Sequence, residues 1–189
     1  MSDVSVPYLP RLVLFPQDTE NPPVAMSTMR HHLLELKLMS AVSQRHPHLH
    51  LPGPQFMSLI TFLGCSPAVS MTEDEDQAPN PYFIEAVDIH KSVVSICGAP
   101  HRAPRCPQCR REVSDWSDVS GVGGERACSQ CGFNSPLSGW DWRHQAGYGR
   151  QWINVWGVYE GEAVPGDKLL ESLHTLSGVA WNYAWCKTG

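Results

Sequence analysis

No stretch of this 189-residue chain reaches the roughly 18 consecutive apolar residues that a membrane-spanning helix requires. The N-terminus lacks an apolar secretory core as well, because Asp3, Pro7, Pro10 and Arg11 interrupt it. Charged residues make up only 17% of the chain, against about 25% in an ordinary soluble domain. With 42% apolar residues and seven tryptophans, that scarcity excludes disorder throughout. No Walker loop, GxGxxG, HExxH, G-x-S-x-G or EF-hand pattern occurs, and there is no internal repeat. None of the common catalytic signatures therefore assigns a reaction.

Basic charge is also short. Fourteen Lys and Arg face nineteen Asp and Glu, for a net charge of −5. A duplex-DNA binder normally carries a basic face, since phosphate neutralisation supplies most of its affinity. The deficit is uneven. Residues 101–150 hold seven arginines and five acids, a local +2, which leaves −7 on the remainder. A basic patch fits this chain, but a basic protein does not.

What is present divides into a body and a module. Pro7 and Pro10 interrupt residues 4–15, leaving Leu12–Phe15 as the strand-like part, with proline favouring an edge position. A helix is expected from Ser27, an eligible N-cap, with Met29, Leu33, Leu36 and Met39 or Ser40 at helical spacing. The apolar run 56–63 reads as a buried strand. Strands are also expected over Phe83–Ile89, Val93–Cys97, Trp152–Tyr159 and Val179–Trp185. The clearest helix has Asp167 as N-cap, Leu169, Leu170, Leu173 and Leu176 as its apolar face, and Gly178 past its end. These elements predict an α+β fold: an antiparallel or mixed sheet with helices on one face, built from residues 1–100 and 151–189. A ferredoxin-like arrangement is one way to order them. Residues 101–150 interrupt this body as an inserted module.

Seven cysteines occur, at 65, 97, 106, 109, 128, 131 and 186. The odd count, with four in two CxxC pairs, argues for bound metal in a reducing, cytoplasmic setting rather than a disulfide framework. Cys106-Pro-Gln-Cys109 and Cys128-Ser-Gln-Cys131 give C-x2-C-x18-C-x2-C. Two intervening residues let one tight turn aim both sulfurs at an ion about 2.3 Å away, and a second turn completes the tetrahedron. Gly132 suits the left-handed backbone such turns require.

Residues 102–135 resemble the zinc-ribbon family, in which two CxxC knuckles sit on adjacent hairpins. The resemblance implies a structural Zn²⁺ on Cys106, Cys109, Cys128 and Cys131. Arg110 departs from the pattern, standing where many ribbons place Gly, and Gly121, Gly123 and Gly124 loosen the intervening loop. An iron centre uses the same ligands and stays open as an alternative.

Other residues carry weaker signals. His46, His48 and His50 alternate and on a strand would share a face, although Pro47 and Pro52 favour a surface loop. Cys65, after the 56–63 run, is a candidate nucleophile or a buried core thiol, and Cys97 and Cys186 read as core. The acidic run Glu73–Asp76 reads as a solvated loop. Trp152 and Trp156 share one strand face, as do Trp181, Tyr183 and Trp185. Trp140 and Trp142, beside Arg143 in a loop running to Arg150, have the composition of a partner-binding hot spot. Taken together, these features predict a non-enzymatic binding or accessory protein, such as an assembly factor or small subunit, whose ribbon contacts another protein. A zinc-ribbon nucleic-acid factor is the alternative, with Arg102, Arg105, Arg110, Arg111 and Arg126 on phosphates and Trp116 stacking a base. An enzyme using Cys65 or a His-bound metal is the third reading.

Overall fold

The computed structural model describes residues 9–20, 24–64, 69, 72, 82–97, 102–113 and 125–187. Cys65, Trp116, the Glu73–Asp76 run and Gly121–Gly124 lie outside them. The first strand, β1 (Arg11–Pro16), is followed by α1 (Met26–Glu35), β2 (Met39–Val42), β3 (His50–Pro52), α2 (Phe56–Leu59) and β4 (Ile60–Phe62). Next come β5 (Phe83–Ala86), β6 (Val94–Ser95), β7 (Glu125–Ala127), β8 (Asn134–Pro136) and β9 (Tyr148–Gly149). The chain closes with β10 (Ile153–Trp156), β11 (Ala163–Pro165), α3 (Asp167–Ser177) and β12 (Trp181–Cys186).

Six strands pair in the order β12-β1-β10-β5-β3-β2, and every pairing is antiparallel. The α+β expectation holds at this level; the narrower ferredoxin-like arrangement gains no support from the order. Alternation sorts the side chains between two faces. Leu12, Leu14, Ile84, Ile153 and Val155 share a core with Met29 and Leu33 of α1, Phe56 and Leu59 of α2, and Leu169 and Leu173 of α3. The helices therefore cover one face of the sheet. Val13, Phe15, Ala184 and Cys186 form a second cluster with Ile96, Cys97 and Trp152.

Several expectations need correction. β1 is interior, not an edge: it pairs with β10 on one side and β12 on the other. Its prolines do no harm, because Pro10 precedes the strand and Pro16 is its last residue. The 56–63 run is a short helix leading into a short strand. Phe56 and Leu59, three apart, bury together, while Met57 and Ser58 face outward. A continuous apolar run does not distinguish a buried strand from a helix turn. Helix α1 begins one residue before Ser27, with no side-chain cap, and ends before Met39, which enters β2. Gly53 makes that turn possible: a Cβ there would lie 2.2 Å from the Lys37 carbonyl oxygen. Asp167 is the first residue of α3 rather than its cap, placing a carboxylate at the positive end of the helix dipole. Gly178 closes that helix with φ of 76°.

Cys97 and Cys186 are not separate core thiols. They form a disulfide between the end of β12 and the segment after β6, spanning 89 residues of sequence. A cross-link over so long a loop narrows the unfolded ensemble, which is worth about 2–4 kcal/mol in typical cases. This bond runs against the expectation of a wholly reduced chain.

The α3 face gives the first prediction. Leu173 is fully buried between the helix and the sheet. Leu173→Ala is expected to lower stability by about 2–5 kcal/mol in urea denaturation. A loss below about 0.5 kcal/mol would mean that this layer does not hold the fold.

Candidate metal centre

The two CxxC turns are built alike. In the first, the Cys106 N–H donates to the Arg111 carbonyl at 2.9 Å and the Arg110 N–H to the Cys106 carbonyl at 2.9 Å. In the second, the Cys128 N–H donates to the Phe133 carbonyl at 2.7 Å and the Gly132 N–H to the Cys128 carbonyl at 2.8 Å. Both turns close on a left-handed residue, Arg110 with φ of 62° and Gly132 with φ of 74°. Sequence reading anticipated this for Gly132. Arg110 adopts the same geometry without the freedom of glycine. The β7–β8 hairpin frames the second turn, and bridges from Arg105 to Glu112 and Asp141 frame the first.

These turns bring all four sulfurs within 4.8 Å of one another. Cys106 Sγ lies 3.7 Å from Cys131 Sγ, and Cys109 Sγ lies 3.8 Å from Cys128 Sγ, so each contact joins one knuckle to the other. A tetrahedron with metal–sulfur bonds of about 2.3 Å has edges of about 3.8 Å. The spacing therefore fits a four-coordinate ion such as zinc. Cys106 and Cys128 are buried, Cys109 is half-buried and Cys131 is exposed.

Proton balance points the same way. Burial alone would raise the Cys106 thiol, but the backbone N–H groups of Cys109 and Gln108, with the neighbouring Cys131 and Cys109 thiols, hold it down at about 7. At Cys131 the Phe133 N–H favours the thiolate. Desolvation and three adjacent sulfurs outweigh it and push the thiol up to about 12. Four thiols at this separation ionise together only when a cation offsets their charge.

Beneath the sulfurs lies a small separate core: Val113, Leu137, Trp140, Trp142, Ala146 and Tyr148, with Val93 and Phe133 at its margin. The expectation that Trp140 and Trp142 stand exposed in a loop does not hold. They are 5% and 6% exposed, and their indole N–H groups donate to the Ser135 and Leu137 carbonyls at 3.2 and 2.7 Å. In a module this small, two buried indoles supply much of the apolar area. Arg143 is also engaged, pairing with Glu112 at 2.9 Å and donating to the Ala103 carbonyl. Arg150 Nε donates to the His90 carbonyl at 3.1 Å. Arg102, Arg105, Arg110 and Arg111 are exposed and Arg126 is half-buried.

The histidine pattern does not become a site. His46 and His48 sit before β3, with ring centroids 6.5 Å apart, and His50 Nδ1 lies 2.9 Å from the Ser40 carbonyl oxygen. Among the described residues, the four cysteines form the one group arranged to hold a metal. A feature missed by sequence reading lies at Arg143 and His144, consecutive non-glycine residues with φ of 51° and 62°. No spacing motif marks such a turn. Comparison with family models, curated proteins and solved structures finds no match to this chain.

Two predictions arise here. Elemental analysis is expected to find one metal ion per chain, held less tightly as pH falls because protons compete for the thiolates. Its removal should change Trp140 and Trp142 fluorescence while far-UV signals from the six-stranded sheet persist. A metal-free chain with unchanged fluorescence would refute the site. Separately, Arg110→Gly should raise the stability of the metal-loaded protein by about 0.5–1 kcal/mol, because glycine adopts the left-handed turn without steric cost. A destabilised variant would show that the Arg110 side chain holds the turn.

Proposed function

We propose that this chain is a non-enzymatic binding or accessory protein in which a structural zinc ion, held ribbon-fashion, fixes a surface for a protein partner. The supporting observation is the closure of the sulfur cluster. Four protein sulfurs at tetrahedral spacing leave no coordination position for a substrate. The ion's role on this reading is to fold residues 101–150, an inserted module with too little core to fold alone.

The contact surface differs from the one composition suggested. With Trp140 and Trp142 packed inward, the outer face of the knuckles is formed by Arg102, Arg105, Arg110 and Arg111, and these take over the role of contact residues. The same arginines favour a nucleic-acid factor as the second reading. Net charge favours the protein partner, since −7 on the rest of the chain opposes any polyanion. Four free thiols held by a metal fit a reducing, cytoplasmic setting, whereas the Cys97–Cys186 bond fits an oxidising one.

Salt separates the two readings. Binding to RNA, single-stranded DNA and duplex should be weak at about 50 mM salt and lost by about 200 mM. A protein partner captured from native cells should survive the higher salt and be lost in an Arg102→Ser/Arg105→Ser/Arg110→Gly variant. Tight, salt-sensitive nucleic-acid binding, with capture unchanged in that variant, would favour the second reading.

A further inference from the structure

Arg110 occupies a backbone position that glycine would fill at no cost. It closes the first CxxC turn with φ of 62°, as Gly132 closes the second with φ of 74°. A left-handed conformation strains any residue that carries a Cβ. No side-chain contact offsets that strain at Arg110. The side chain is exposed, and its guanidinium has no hydrogen bond or ion pair among the described residues. Arg143 is the contrast. It is left-handed too, with φ of 51°, but its guanidinium pairs with Glu112 at 2.9 Å and donates to the Ala103 carbonyl. Strain without internal compensation persists where the side chain serves a function.

The surroundings set the charge that this function calls for. Arg102 and Arg105 are exposed and likewise have no side-chain partner among the described residues. Arg111 is exposed and gives one donor to Gln130 Oε1 at 3.0 Å. The acids that Arg105 faces through backbone bridges, Glu112 and Asp141, each commit an oxygen to Arg143. Positive charge on the knuckle face is therefore left unmatched. A guanidinium presents its N–H donors as a planar fork that fits a carboxylate or a phosphate. Aromatic exposure separates the two. Single-stranded nucleic acids bind by stacking bases on exposed rings. Among the described rings of the module, Trp140, Trp142 and Tyr148 are buried and Phe133 and His144 half-buried. A long polyanion would also pass the −7 carried outside residues 101–150. A short acidic segment ends on the knuckle face, and charges more than about 8 Å away are largely screened at physiological salt.

We propose that the knuckle face docks a short acidic peptide segment of a partner protein, a run of Asp or Glu side chains, with Arg110 forking one carboxylate and Arg102 and Arg105 holding its neighbours. The inference rests on the knuckles being a protein-contact surface and names the chemistry of what they contact. Carboxylates of a short peptide lack the condensed counterions of a nucleic acid, so this docking loses less with salt than phosphate binding does. The competing role for Arg110 lies inside the chain. Four thiolates around one Zn²⁺ keep a net negative charge, which an arginine next to Cys109 also serves to offset.

The test titrates the full-length, zinc-loaded chain at about 150 mM salt with three probes. These are acetyl-Glu-Asp-Glu-Asp-amide, acetyl-Gln-Asn-Gln-Asn-amide and a deoxythymidine oligomer. Calorimetry and the arginine Nε–H resonances are the readouts. Saturable binding of the acidic peptide is expected, with a shift at Arg110 and at least tenfold weaker binding of the neutral peptide. Arg110→Gly should keep its metal and weaken binding at least tenfold, as expected for a lost bond between charged groups. Arg110→Lys keeps the charge but not the fork, so it should weaken binding several-fold. Lys168→Ser removes the same charge from an exposed position on α3 and should bind like the parent. The proposal is overturned by no saturation, by equal binding of the neutral peptide, or by tighter binding of the oligomer. An Arg110→Gly variant that binds like the parent, one that loses its metal, or an equal loss in Lys168→Ser overturns it too. A native protein partner captured by a chain that ignores the acidic peptide would keep the protein-contact reading and discard the acidic segment. Peptide binding with no partner captured would keep the acidic site and discard that reading.

Discussion

Four sulfurs confined within 4.8 Å impose a charge requirement on everything built around them. Left protonated, they compete for a few weak donors. Ionised together, they repel one another in a partly buried site. Only a cation at the centre relieves both conditions, and its tetrahedral preference then fixes the two turns relative to each other. Those turns come from segments separated by eighteen residues, and the Arg111 guanidinium donates to Gln130 Oε1 across them at 3.0 Å. The sulfur contacts at 3.7 and 3.8 Å run from one knuckle to the other, so an ion held there would tie the two turns together.

The module is then held against the sheet by contacts of several kinds. Gly147 lies so close to Phe15 of β1 that a Cβ there would approach the ring to 2.7 Å. The Trp185 N–H donates to the His144 carbonyl at 2.8 Å, and the Ile96 N–H to the Gly147 carbonyl at 2.9 Å. The β6–β9 pair joins the stretch before the module to its last residues. Cys97 and Cys186 add a covalent link beside these contacts. The face of the sheet not covered by helices is thus partly closed by the module, with a small cavity left along that junction.

How much of this could be read from sequence follows from the range of each interaction. The cysteine spacing was fully legible, because a CxxC turn is local and its geometry is dictated by the metal. Helix α3 was legible for the same reason: Leu169 and Leu173 recur at helical spacing between Asp167 and Gly178. The 56–63 run was not, since Phe56–Phe62 is apolar without a period and only packing divides it into helix and strand. Nor was the interior position of β1, which is settled by pairing with residues far along the chain. Trp140 and Trp142 show the limit most clearly. Tryptophan beside arginine in a glycine-containing loop has the composition of a contact surface, yet a module with so little apolar material uses its indoles as core. The disulfide was hidden by the odd cysteine count, which merges two bonded thiols with four clustered ones.

Backbone strain offers a way to separate what the metal requires from what it does not. Gly132 and Arg110 occupy equivalent positions, and the turn needs a left-handed residue at both. The CxxC turn geometry thus explains the conformation at Arg110 but not the choice of arginine. At Arg143 and His144 the situation differs, because no metal ligand adjoins them. Two consecutive left-handed residues there would each cost about 1–2 kcal/mol. The turn is offset by the Asp141 acceptor, the Glu112 ion pair and the stacking of His144 on Tyr183. Those contacts come from two directions, Glu112 beside the first knuckle and Tyr183 of β12. A four-sulfur site accounts for the knuckle geometry, whereas the Arg143–His144 turn is held by Glu112, Asp141 and Tyr183.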